Sequence, residues 1–255
     1  MSNALIWGGT GGIGGALVHA LAARQWTVAS IGRQIESSAA TIALQADVTY
    51  ADEIANAVLE VAQTLGEIDL WVYAVGDIVA ARIEKLSESD WNRIIGANLT
   101  GAFLATRASL PLLAPAAHIV YVGALPENVR RPGLAAYAAA KGGLEALAAV
   151  VAAEEKQRRV SVVRPGAVQT KLWNKIGAKP PRTAAQPESL AAAILAAHVA
   201  GHQGGLETPA AGHGRQGCVH LGQRQRRLRV LDVVIQSARP QQGAEGALQR
   251  VGVQP

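Results

Sequence analysis

The sequence predicts an α/β domain built on a doubly wound parallel sheet. Two observations lead there. Short runs of β type alternate with longer helical patterns through residues 1–205, and those runs are apolar at consecutive positions, as strands covered on both faces must be. Asn3–Trp7 reads as the first buried strand, and a glycine-rich turn after it opens a helix to Arg24 with Leu17, Leu21 and Ala22 on one face. Thr27–Ile31 is the second strand and Thr41–Gln45 the third, across a link too short for a full helix. A helix over about Asp52–Leu65 leads to strand Leu70–Ala74, and a long helix over about Ser89–Leu113 follows. Ser87-Glu88-Ser89-Asp90 supplies that helix with capping oxygens and negative charge at its N-terminus. Strand His118–Gly123, helix Leu134–Lys156, strand Val160–Arg164 and helix Pro187–Ala200 complete the series.

Composition divides the 255 residues in two. Residues 1–205 carry 17 Lys+Arg against 16 Asp+Glu, whereas residues 206–255 carry 7 against 3, so four of the five net positive charges lie in the last fifth. All ten aromatic residues fall in the first part. One domain over residues 1–205 is expected, with a basic, irregular, poorly ordered extension over 206–255 in which only Leu228–Ile235 reads as a strand or helical turn. Arginines without interleaved aromatics read as solvated charge, so no nucleic-acid partner is expected. The longest uncharged stretches, Ala108–Pro126 and Ser189–Leu206, hold internal prolines or mostly alanine and do not read as membrane spans. A lone Cys218 and a glycine-rich start without a basic leader point to a cytoplasmic protein. His202, His213, Cys218 and His220 show no paired ligand spacing, and no metal is expected.

The chemistry concentrates in three places. Gly8-Gly9-Thr10-Gly11-Gly12-Ile13-Gly14 sits where the first strand hands over to a helix. Gly8 permits the tight turn, Gly12 lets backbone approach a pyrophosphate and Gly14 allows close helix–sheet packing, a Rossmann-type dinucleotide fingerprint. The second strand ends in Ile31-Gly32-Arg33, without a carboxylate to hold a free ribose hydroxyl. Arg33 can pair with a 2′-phosphate, so NADP(H) is preferred over NAD(H); a solvated loop arginine is the alternative. Tyr137 and Lys141 stand at i and i+4 on one helix and share a face. An ammonium there is expected to lower the phenol's pKa from about 10 and to reach a ribose.

With these residues the chain resembles the short-chain dehydrogenase/reductase family over about residues 1–205. The resemblance rests on Gly8, Gly12, Ile13 and Gly14, the pair Asp47-Val48, Asn98, Tyr137-x-x-x-Lys141, and Pro165-Gly166 with Thr170. It implies that Tyr137, Lys141 and Asn98 are catalytic, with Asn98 supporting a proton relay. It also implies that Asp47 recognises the adenine and that Pro165, Gly166 and Thr170 line the nicotinamide; Gly76 lets backbone approach the ribose, and Ala74 and Val168 are further cofactor-binding candidates. A small-molecule substrate and a homodimer or homotetramer follow from the same likeness. Taken alone, Asp47 could be a solvated turn residue and Asn98 a packing residue.

Two departures from that family stand out. Tyr73-Ala74-Val75-Gly76 replaces its Asn-Asn-Ala-Gly, and Ala124 occupies the place of its catalytic serine. Loss of one such donor costs about 2.7–4 kcal/mol in enzymes that depend on it. The dihydropteridine-reductase-like branch shares that alanine, together with the Trp26–Ile31 run and Pro132-Gly133, and is the branch most resembled. The expected activity is hydride transfer from NADPH to a small carbonyl, quinone or quinonoid compound with Tyr137 as proton donor. Pterin reduction, or NADPH binding with weak catalysis, are the alternatives. Arg130 and Arg131 are candidates to border the substrate, and Trp173 to belong to a lid over about Lys171–Gln186.

Overall fold

The computed structural model describes residues 2–34 and 39–208. Among these residues seven strands form one parallel sheet: β1 (Asn3–Trp7), β2 (Thr27–Gly32), β3 (Ile42–Gln45), β4 (Ile68–Tyr73), β5 (Leu113–Val122), β6 (Arg159–Pro165) and β7 (Gly204–Thr208). Their order is β3-β2-β1-β4-β5-β6-β7, so the winding reverses between β1 and β4. A doubly wound sheet opens its ligand crevice at that reversal, beyond the carboxyl ends of the strands. Trp7 pairs with Ile31 on one side and Tyr73 on the other, which sets those strand ends level beneath the crevice.

Alternate residues of each strand enter two separate cores. Leu5, Trp7, Ile31, Trp71, Tyr73 and Tyr121 face α2 (Ala51–Leu65), α4 (Gly101–Ser109) and α6 (Ala135–Glu154). Ala4, Ile6, Val28, Leu70, Val72 and Val120 face α1 (Gly12–Ala22) and α7 (Pro187–Val199). This division is why the strands read as unbroken apolar runs. By length and apolar character α6 could cross a membrane, with a mean hydropathy of 1.3 in its best window. It instead packs on β6 and α3 (Glu88–Ile95), and its own Lys141 is buried.

Several elements depart from expectation. The long helix is three pieces, α3, a π turn at Gly96–Thr100 and α4, and it stops at Ser109 rather than Leu113. Pro111 ends it, because the ring lacks an N–H and disfavours a helical residue before it; Leu110–Leu112 tighten into a 3₁₀ turn. β5 therefore starts at Leu113, five residues early, pairing with Ile68 before a register shift. A short helix α5 (Pro126–Val129) and β7 were not anticipated. β7 runs three residues past the expected boundary at residue 205 and buries Leu206 in the core. Cys218, His213, His220 and Leu228–Ile235, with the expected extension from residue 209 on, lie outside the described residues.

Candidate active site

The strand ends and the helices beside them enclose a cleft of about 1800 Å³. At its base the amides of Gly8 and Gly9 both donate to the Ile31 carbonyl, at 2.7 and 3.1 Å, which turns the chain sharply off β1. Gly8 takes φ +83°, and a Cβ there would stand 2.8 Å from the Ala74 carbonyl carbon. Gly12 faces Thr170, whose Cγ2 lies 2.8 Å from where a Cβ would be. Gly11 caps α1 without any side-chain hydrogen bond, so the first-turn amides keep their donor capacity. An open glycine cradle under an uncapped helix N-terminus fits a dinucleotide's pyrophosphate.

Most of the expected site residues meet in this cleft. Gly8, Thr10, Gly12 and Ile13 line it with Arg33, Asp47 and Val48, and so do Ala74, Gly76, Pro165, Gly166, Val168 and Thr170. Arg33 is exposed there, with no carboxylate partner among the described residues. Asp47 accepts from the amide and hydroxyl of Thr49, at 2.9 and 2.7 Å, which fixes its carboxylate at the end of β3. Gly9 and Gly14 lie outside the lining. A Cβ on Gly9 would meet Ser30 Oγ at 2.1 Å, and one on Gly14 the Gly8 carbonyl oxygen at 2.2 Å, so both serve close packing. Arg131 lines the cleft and Arg130 does not; Trp173 lines it and donates from Nε1 to the Val168 carbonyl at 2.8 Å.

Tyr137 and Lys141 occupy the wall formed by α6. Lys141 Nζ donates to the Val122 carbonyl at 2.9 Å and lies 5.6 Å from the Tyr137 ring centroid. Burial brings the ammonium down to about 8, against a smaller upward pull from Glu145. Burial also pushes the Tyr137 phenol up to about 12. The expected lowering of its pKa by Lys141 is not seen here: burial is what acts on the phenol, while the ammonium donates to a carbonyl. Asn98 does not line the cleft. It is fully buried in the π turn, and its Nδ2 donates to the carbonyls of Asp77 (2.8 Å) and Ile94 (2.9 Å).

Tyr73, the last residue of β4, ties the sheet to the π turn. Its hydroxyl donates to the Ala97 carbonyl at 2.7 Å and anchors the π turn beside Asn98. Ala124 lines the cleft, and no serine does among the described residues.

Sequence reasoning missed the charged cluster at the cleft wall. The Asp77 carboxylate, 4% exposed, takes Arg93 of α3 on one oxygen and Lys175 on the other, the latter at 2.6 Å. Burial pushes its pKa up, but Lys175, the Ile78 amide and Arg93 outweigh this and hold it below the usual carboxylate value. Arg93 also pairs with Asp90 at 2.8 Å. No local signal could have found this group, since its members lie 16 and 98 residues apart.

Comparisons with known proteins agree with this geometry. A model of the short chain dehydrogenase family matches residues 2–181. A 3-oxoacyl-acyl-carrier-protein reductase of Synechocystis sp. is 31% identical over 193 residues, 69% of this chain and 78% of that protein. An acetoacetyl-CoA reductase of Allochromatium vinosum is 29% identical over 233 residues, 81% of this chain and 94% of that protein. Among solved structures, the ligand-free aldohexose dehydrogenase of Thermoplasma acidophilum superposes with a TM-score of 0.74 at 19% identity, covering 85% of this chain and 97% of that one. None of these relatives is a dihydropteridine reductase.

Proposed function

The chain belongs to the short-chain dehydrogenase family, and from that premise we propose that it is an NADPH-preferring oxidoreductase acting on a small carbonyl, quinone or quinonoid compound. The observation that carries this reading is the Tyr137–Lys141 pair set in the wall of the cleft that the glycine cradle opens. The first-turn amides of α1 would hold the pyrophosphate, Arg33 the 2′-phosphate and Asp47 the adenine. Ala74, Gly76 and Lys141 bound the ribose, and Pro165, Gly166, Val168 and Thr170 bound the nicotinamide. When bound, that nicotinamide supplies the hydride. Tyr137 keeps its proton throughout the neutral range and gives it to the substrate oxygen as negative charge develops there. Lys141 Nζ stands 5.6 Å from the Tyr137 ring centroid, and Asn98 supports the relay that returns the proton. The names of the Synechocystis and A. vinosum relatives, both reductases, support the reductive direction.

Ala124 favours a second reading, reduction of a quinonoid dihydropterin, in which the serine donor is not needed. The exposed Phe103 on α4 and Val150 on α6 support pairing of subunits into a homodimer or homotetramer. A single cysteine supports a cytoplasmic location. The test is NADPH oxidation by the protein and by Tyr137→Phe with a panel of ketones, quinones and quinonoid dihydropterin. Turnover by the parent with one acceptor class, and its loss in the variant with NADPH affinity within about threefold, is expected. A fully active Tyr137→Phe protein overturns the mechanism, and an inert parent that binds NADPH favours a sensing role.

A further inference from the structure

Residues 167–185 leave the sheet as an excursion closed at its base. The Ala185 amide donates to the Ala167 carbonyl at 2.8 Å and the Gln169 amide to the Ala185 carbonyl at 2.9 Å. Its tip is the 3₁₀ turn Lys171–Ile176, which lines the cleft with Pro180 and Pro181 behind it. Within the described residues, the hydrogen bonds of 171–183 stay inside the excursion, with one exception. Lys175 reaches across to the Asp77 carboxylate at 2.6 Å, bridging 98 positions of sequence.

Asp77 is built to hold that tip. The Ile78 amide donates to Oδ1 at 2.8 Å and Arg93 grips Oδ2, so the carboxylate cannot turn away. The backbone carbonyl of the same residue accepts from Asn98 Nδ2 at 2.8 Å. One residue thus joins the turn over the cleft to the π turn that carries Asn98. The pair is also reversible in character, because Asp77 is buried while the Lys175 side chain remains 38% exposed.

We propose that the Asp77 carboxylate latches the Lys171–Ile176 turn across the cleft and is thereby a positioning residue for the reaction, an inference that rests on reading the cleft as the nicotinamide cofactor site. A latched turn is preorganised over its ligand, so losing the latch weakens cofactor retention more than it slows the proton transfer at Tyr137. Lys175→Met on the surface turn removes the tie and leaves Asp77 with Arg93, and Asp77→Asn removes it from the other side.

Two measurements test this. The first is tryptic cleavage after Lys171 and Arg182 in the protein without cofactor; the second is NADPH affinity by fluorescence, followed by KM and kcat. Both variants should be cleaved at least fivefold faster and bind NADPH about tenfold more weakly, about 1.4 kcal/mol. KM should rise more than kcat falls, the double variant should be no worse than the weaker single, and Lys175→Arg should restore the parent values. Unchanged cleavage in Lys175→Met, or additive losses in the double variant, overturns the latch. Failure of the parent to bind NADPH overturns the functional reading instead, and the cleavage rates then decide the latch on their own.

Discussion

At the end of β2 the guanidinium of Arg33 stands exposed in the cleft, with no carboxylate partner among the described residues. A hydrogen bond to a charged group contributes about 1.5–3 kcal/mol, and a 2′-phosphate offers one that a ribose hydroxyl does not. Arg33→Asp should therefore weaken NADPH binding by ten- to a hundredfold and reverse the preference toward NADH, read by fluorescence titration with each nucleotide. Unchanged NADPH affinity would remove the assignment. That Arg33 and the Tyr137–Lys141 pair line one cleft was legible in the sequence because each is placed by its immediate neighbours, a strand end or an i,i+4 step. Asp77 was not, because its meaning lies in Arg93 and Lys175, which only the fold brings to it. The protonation of Tyr137 depends on the fold for a related reason. Spacing places the ammonium near the phenol, but only the structure reveals that the ammonium is committed to the Val122 carbonyl and that burial dominates.

The first helical turn separates two jobs that its glycines perform. Gly14 packs against backbone, with a Cβ there falling 2.2 Å from the Gly8 carbonyl oxygen. Gly12 instead meets the methyl end of the Thr170 side chain at 2.8 Å, on the cleft side. Backbone cannot yield cheaply, whereas a threonine can turn. Gly14→Ala should therefore cost about 1–3 kcal/mol and lower Tm by about 3–10 °C. Gly12→Ala should leave Tm within about 2 °C and weaken NADPH binding tenfold or more, since the added methyl fills the cradle. Thermal unfolding and nucleotide titration of the two variants check the split, and equal Tm losses would contradict it. The elements themselves were legible to different degrees. β1 matched its expected bounds because the strand is apolar toward both cores and is followed at once by Gly8. The π turn left no trace, since widening a helix by one residue per turn changes neither composition nor capping. β7 was missed because Gly204-Gly205-Leu206-Glu207-Thr208 buries only Leu206, too little to form a pattern.

Across the whole molecule the chemistry and the pH sensitivity of the fold lie at opposite ends of the sheet. The cleft sits beyond the carboxyl ends of the strands, while His118 of β5 pairs in register with Arg159, the first residue of β6. His118 is fully buried, with Nε2 2.9 Å from Ser161 Oγ and Nδ1 unpartnered. The His198 ring stacks on it at 5.6 Å, and Trp26 meets His198 edge-on at 5.3 Å. Burial, helped by Arg159, His198 and His202, lowers the His118 pKa to about 3 from an ordinary 6.5. Burial, then Arg159, also lowers His198 against an opposing pull from Asp69. The unfolded chain then binds a proton that the folded chain refuses. The stability due to a neutral His118 is complete above pH 6.5 and is lost as pH falls through the window from about 6.5 to about 3. Each pH unit inside that window removes about 1.4 kcal/mol per proton, so a fall from neutrality to pH 4.5 costs on the order of 3 kcal/mol from this histidine. Urea unfolding between pH 4.5 and 7 should show stability rising with pH, and His118→Gln should flatten the slope by up to one proton. Turnover at neutral pH should be unchanged in that variant, since the histidine lies at the end of the sheet away from the cleft. An equal pH slope in parent and variant would show that His118 is not the group responsible, and lost turnover would mean that the two ends of the sheet are coupled.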